Sequence, residues 1–145
     1  MSLSYQNKLF EFLYPDGWKL DETRSGDGLT VSLQSPFSMF AFINIYDRAL
    51  EAKNLADQAL ETMAEEYEDL DADPVSEMIS DLPAVGHDVN FFSLDLTNTC
   101  WIRAFTSGSY SMLIFAQTND LDLEQGEAAF RGICASLKLG TSGAA

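Results

Sequence analysis

"CWIRAFTSGSYSMLIFAQT", Cys100 to Thr118, is the stretch on which the fold turns. Two runs rich in aromatic and branched residues flank Ser107-Gly108, and both alternate like strands. A two-residue turn at Ser107-Gly108 joins them into an antiparallel hairpin. In that register Phe105 lies opposite Tyr110, Arg103 opposite Met112 and Trp101 opposite Ile114, so all six share one face. Arg103 is then the lone charge among apolar neighbours. A guanidinium in such a place pairs with a carboxylate or stacks on a ring. The structural expectation is an ion pair with an acid of the first helix. The functional expectation is a partly open groove of Trp101, Arg103, Phe105, Tyr110 and Met112 that takes an anionic group or a partner segment. Moving the turn by one residue would flip these faces.

Working outward, "DVNFFSLDL" reads as the preceding strand, with a turn at Thr97-Asn98. "LEQGEAAFRGICASLKL" follows the hairpin as a helix striped by Leu123, Phe130, Ile133, Cys134 and Leu137, with Asp122 as its N-cap and Gln125 at the capping-box position. Before these, "VSEMISDL" reads as a short strand and "LPAVG" as a turn. A first helix is marked by Ala56, Ala59, Leu60, Met63, Tyr67 and Leu70, with Asn54 and Asp57 as a capping pair. Its opposite face carries Glu61, Glu65 and Glu68. Further upstream "LFEFLY", "LTVSLQS" and "MFAFINIYD" are strands. Pro15-Asp16-Gly17 makes a turn that delivers Trp18, expected as a packed corner of the core rather than a binding residue.

The order is β-β-β-α-β-β-β-β-α. Hairpin-length connections make the sheet mostly antiparallel. Apolar residues on both faces of the later strands require cover on both sides. The expected fold is α/β (α+β): a sheet of six to seven strands with one helix on each face. One domain spans residues 9–139, between a leader or flexible N-terminus at 1–8 and a flexible tail at 140–145.

The chain has 145 residues with 23 acids against 8 basic residues, a formal charge of −15. This excess disfavours nucleic acid, whose phosphates need Lys and Arg, and disfavours an anionic membrane surface. No run is long and apolar enough for a membrane-spanning helix. The default compartment is cytoplasmic, or exported if a signal has been removed. Cys100 and Cys134 lack metal-ligand spacing; two buried thiols are expected, with a single disulfide as the alternative.

Catalytic signatures are missing. His87, the only histidine, stands beside Asp88 with no nucleophile-elbow motif, and reads as a solvated loop residue. Asp69, Asp71 and Asp73 mimic the start of a calcium loop, but Pro74 stands where glycine is needed and Ser80 where glutamate is needed. Asp120, Asp122 and Glu124 suit a helix start. No catalytic residue, metal site or cofactor is expected.

With the elements placed, "YPDGW" closing a first strand, a long acidic helix after the third strand and "LPAVG" before a strand form a pattern. Together with "WIRAFTSGSYSMLIFAQ" and "FRGICASLKL" it resembles the PsbP/Mog family from about Leu9 to Leu139. That resemblance implies a PsbP/Mog-like sandwich of bacterial type. The family includes an extrinsic photosystem II protein, a Ran-binding protein and chaperones for type VI secretion effectors. Its members mostly bind proteins, and it carries no shared catalytic motif. The expected function is a non-catalytic accessory or protein-interaction domain, monomeric or homodimeric, whose partner has a basic or apolar surface. The alternatives are a carrier of a small apolar ligand, an effector chaperone, or a carboxylate-based hydrolase.

Overall fold

A computed structural model describes residues 2–26 and 28–140. Strands β1 (Ser2–Gln6) and β2 (Phe10–Pro15) pair antiparallel, and β10 (Lys138–Leu139) joins the other side of β2. This makes a small three-stranded sheet. The large sheet has seven strands, β3 (Lys19–Ser25), β4 (Gly28–Gln34), β5 (Phe40–Tyr46), β6 (Asp71–Ile79), β7 (Leu82–Ser93), β8 (Leu96–Ser107) and β9 (Tyr110–Asn119). Their spatial order is β3-β4-β5-β9-β8-β7-β6, antiparallel at every pairing. Helix α1 (Ala52–Glu66) crosses from β5 to β6, and α2 (Leu123–Ser136) follows β9 through a short 3-10 turn, Asp120–Asp122. The antiparallel α+β sandwich expected from the alternation is therefore present. Among the described residues no helix is long and apolar enough to cross a membrane.

The sheet has a core on each side, as period-two alternation requires. Val89, Cys100, Ile102, Ala104 and Leu113 face α1 and pack on its Leu55, Ala56 and Met63. Trp101, Phe105, Met112, Ile114 and Ile43 face the other way, toward Phe130 and Ile133 of α2 and Phe10 and Phe12 of the small sheet. The cover on this second side is thus shared between α2 and a sheet that the alternation did not disclose.

Trp18 sits where the chain leaves the small sheet for the large one. Gly17 takes φ 88°, the left-handed value that the turn needs, and Trp18 N–H donates to the Pro15 carbonyl at 3.4 Å. The indole is 7% exposed and meets Phe37 edge-on at 5.9 Å. The corner reading of this residue agrees with its place.

Several local expectations need correction. Residues 2–6, read as leader or flexible terminus, form β1, because Tyr5 packs on Phe10 and Phe12 and its hydroxyl donates to Glu22 of β3. Most of the expected tail, 141–145, lies outside the described residues, while Gly140 N–H donates to the Leu9 carbonyl at 2.7 Å. "LPAVG" is the start of β7; the turn is Ser80-Asp81, both with positive φ. Asn54 does not cap α1, which begins earlier, at Ala52, with Glu51 in the N-cap position. Asp122 holds the N-cap position of α2, as expected, but its side chain makes no capping bond and accepts from Ser38 N–H, while Asn119 caps the preceding 3-10 turn by accepting from Leu121 and Asp122 N–H.

Candidate functional site

The β8–β9 turn falls at Gly108-Ser109, one position later than expected, with positive φ at Gly108. Cross-strand partners therefore shift by two: Phe105 faces Met112, Arg103 faces Ile114 and Trp101 faces Ala116. A shift of two preserves the faces. Trp101, Arg103, Phe105, Tyr110 and Met112 share one face, as the alternation requires, but it is the α2 side rather than that of the first helix, and all five are buried there instead of lining a partly open groove. Phe130 of α2 stacks on Trp101 at 5.1 Å, with planes 10° apart, and fills the space above the strands.

Arg103 is 0% exposed and fully engaged. Its Nε donates to Glu77 of β6 and its Nη1 to the carbonyls of Ile102 (3.0 Å) and His87 (3.3 Å). Its Nη2 stands 2.8 Å from Asp88 Oδ1 of β7. That oxygen accepts no aligned hydrogen bond, so the contact is a charge pair without N–H direction. The guanidinium also lies 5.6 Å from the Phe130 ring centre, and Arg131 reaches the same ring from 5.8 Å. Arg131 of α2 completes the network by approaching Glu77 at 3.4 Å. The acids thus come from the neighbouring strands rather than from α1, because Arg103 points away from α1. Gly86, opposite Arg103, permits this close strand approach: a Cβ there would meet the Ile102 carbonyl oxygen at 1.7 Å.

His87 lies within β7, on the α1 face, not in a solvated loop. Its Nε2 is 2.9 Å from Asp57 Oδ1, and Asp57 also accepts from Lys53 one turn earlier on α1. The Lys53 hydrogen bond, then that of His87, holds the Asp57 carboxyl below its ordinary range. The three residues line a shallow cleft of about 220 Å³ with Pro74, Ser76 and Gly86. The contact ties α1 to β7, and no hydroxyl or thiol among the described residues is hydrogen-bonded to the imidazole. Among the described residues no three His, Cys, Asp or Glu side chains group to hold a metal ion.

The cysteines are both free thiols. Cys100 faces α1 and Cys134 belongs to α2, on opposite sides of the sheet. Burial pushes both thiols up, Cys134 to about 12. Both are thereby held toward the protonated thiol form.

What the sequence reading missed is on the surface. Phe92 is 68% exposed, Leu94 92% and Leu121 77%. All three gather at one end of the large sheet, since β8 Asn98 pairs with β9 Asn119 and the β7–β8 hairpin projects just beyond. The expected turn at Thr97-Asn98 placed Leu94 inside a strand; the true turn is Leu94-Asp95. The adjacent pair Phe91-Phe92 was the usable signal, because neighbours on a strand face opposite ways and one ring had to find separate cover.

The sequence matches no family model and no curated protein. The fold does have solved counterparts. Cyanobacterial PsbP (CyanoP) from Synechocystis sp. PCC 6803 superposes with a TM-score of 0.71 at 13% identity, over 95% of this chain and 92% of that one. LpqN of Mycobacterium tuberculosis, described as involved in cell envelope biogenesis, gives 0.59 at 10% identity, over 90% and 83%. A Pseudomonas aeruginosa protein of unknown function, PA94, gives 0.53 at 14% identity, over 90% and 91%. The chain has a PsbP-like fold.

Proposed function

We propose that the chain is a non-catalytic accessory domain that works by binding another protein, the role that the Mog side of the resemblance also implies. One observation carries this reading. Arg103 and the acids beside it are spent on internal pairing, whereas three large apolar side chains at one end of the sheet, Phe92, Leu94 and Leu121, stand in solvent. Exposed apolar groups that no core requires mark interaction surfaces. Trp101, Arg103, Phe105, Tyr110 and Met112 serve such a role as the stiff framework beneath α2. Crosslinking in cells of the source organism, followed by mass spectrometry, tests it. The expected result is one recurrent protein crosslinked through the exposed apolar end. Turnover of a substrate by the purified chain, with no recurrent crosslink, overturns it.

A second reading, a carrier of a small apolar ligand, is favoured by one cleft. It measures about 590 Å³ and lies between the two sheets, with Leu9, Leu29 and Ile45 as apolar walls and Lys8 and Arg24 at its edge. Native mass spectrometry of the freshly purified protein separates the readings, because only a carrier retains co-purifying mass.

A further inference from the structure

In the large sheet the three consecutive hairpins β6–β7, β7–β8 and β8–β9 close through two-residue turns. Ser80-Asp81 and Gly108-Ser109 use small or polar residues, as positive φ demands. At Leu94-Asp95 only the aspartate follows this chemistry. Leu94 takes φ 53° and Asp95 φ 63°, so both occupy the left-handed region that an Asn-Gly pair fills without strain. Leu94 is at the same time the most exposed large apolar residue of the described chain. Folding gains nothing from a leucine that is strained and wet. Phe92 precedes it on the same hairpin, and Leu121 projects from the 3-10 turn after β9 at the same end.

The charged residues of the segments that form this tip have one sign. Asp95, Asp120 and Glu124 are exposed beside it. From Asn54 to Phe130 the chain holds sixteen Asp and Glu but no Lys and a single Arg, the buried Arg103. The cations that flank this segment, Lys53 and Arg131, pair with Asp57, Glu77 and Glu127, none of them a rim acid. An apolar patch rimmed by carboxylates complements a segment that is apolar on one side and cationic on the other, and it is repelled by an anionic bilayer.

We infer that the tip formed by Phe92, Leu94 and Leu121, with its rim of Asp95, Asp120 and Glu124, is the docking surface for a cationic amphipathic segment of a partner protein. This rests on the protein-binding reading above and specifies its surface and its partner chemistry. Leucine at position 94 trades hairpin stability for recognition.

The probe is a synthetic leucine/lysine amphipathic helix peptide, titrated calorimetrically into the full chain at about 150 mM salt, where long-range attraction is largely screened. Phe92→Ser, Leu121→Ser and Leu94→Asn leave the net charge unchanged. Each of the first two is expected to weaken binding about tenfold. Leu94→Asn is expected to weaken binding while raising the melting temperature, since it relieves the turn. Removing the rim charges together (Asp95→Asn, Asp120→Asn, Glu124→Gln) is expected to weaken binding about tenfold or more. The same number of charges removed from α1 and its C-terminal flank (Glu61→Gln, Glu65→Gln, Glu68→Gln) should change it less than about twofold. Equal losses from the two charge sets would show attraction to net charge alone and overturn the inference. So would unchanged affinity in the Phe92 and Leu121 variants, absence of any peptide binding, or uptake by phosphatidylcholine/phosphatidylglycerol vesicles. Silent tip variants in a chain that still crosslinks one recurrent protein elsewhere would discard the tip and leave the broader reading standing.

Discussion

Replacing Arg103 separates packing from pairing at the centre of the sheet. The residue is fully buried, while its acid partners keep 28% (Glu77) and 37% (Asp88) of their side chains exposed. Breaking a buried ion pair by removing one partner costs about 3–5 kcal/mol. Here the stranded acids retain a path to water, which places Arg103→Ala near the lower end, at about 3 kcal/mol. For a chain of 145 residues, an unfolding entropy of about 2.1 cal/mol/K per residue converts this to a fall in melting temperature of about 10 °C. Arg103→Met keeps most of the stem against Phe130 and leaves no void, so its loss is about 1–2 kcal/mol. Urea unfolding followed by tryptophan fluorescence reports both, because Trp101 and Trp18 are buried in the native state. A cycle of Arg103→Met with Glu77→Gln isolates the pair, with an expected coupling of about 1–2 kcal/mol. Two variants within about 0.5 kcal/mol of the parent would refute the reasoning altogether. Equal severity in Ala and Met would refute the division between stem and charge.

Gly86→Ala should lower the melting temperature by about 10 °C or more, since its Cβ would overlap the Ile102 carbonyl, whereas Gly132→Ala, with open space on α2, should raise stability by about 0.5–1 kcal/mol; circular dichroism melts check both. Cys100 and Cys134 should resist a thiol-specific chromogenic reagent at pH 8 until denaturant is added. The alkaline limb follows from the same burial. Cys134 and Tyr5 are both raised to about 12 in the fold, so their contributions are complete below the unfolded values and are lost as pH climbs toward 12; melting temperatures should fall across that window, less steeply in Cys134→Ala. Glu61, Glu65 and Glu68 are exposed along α1 and just beyond its C-terminus, so moderate sodium chloride should raise the melting temperature by screening their repulsion, and a fall would contradict this.

Strong periodicity made much of the architecture readable. The stripe of α1, the stripe of α2 and the alternation of β8 and β9 each exceed what a loop can imitate, and each element exists, although α1 ends at Glu66, short of the Tyr67 and Leu70 of its stripe. Turn placement was weaker. The β8–β9 error moved by an even number and cost nothing in facing, so the burial and pairing of Arg103 followed from alternation alone. The source of its acids did not, because strand order in space is set by the crossover of α1, and no local pattern records that β6 and β7 flank β8 on its far side. Strand β3, "KLDETRS", is polar almost throughout; as an edge strand with little burial it has no alternation to read. The short β10 is created by docking onto β2. The exposed tip was hidden for a chemical reason, since Leu94 is not one of the residues by which such turns announce themselves.

The pairing of β5 with β9 divides the large sheet into two meanders, β3-β4-β5 and β6-β7-β8-β9, each joined internally by short turns. Between them lies a single seam that aligns Phe40 with Gln117 and Tyr46 with Ser111. Ser111 fastens it at one end, donating to the carbonyl of Arg48 at 2.8 Å and accepting from Leu50 N–H at 2.6 Å. Each meander has low contact order and zips locally, but the seam closes a loop that holds all of α1 and three strands. The meeting of the two meanders at this seam is therefore the step expected to limit folding. The same geometry makes the linker from Asp47 to Glu51 a hinge: opened there, one chain's first meander fits the seam of another as well as its own, so concentrated refolding should yield an exchanged dimer.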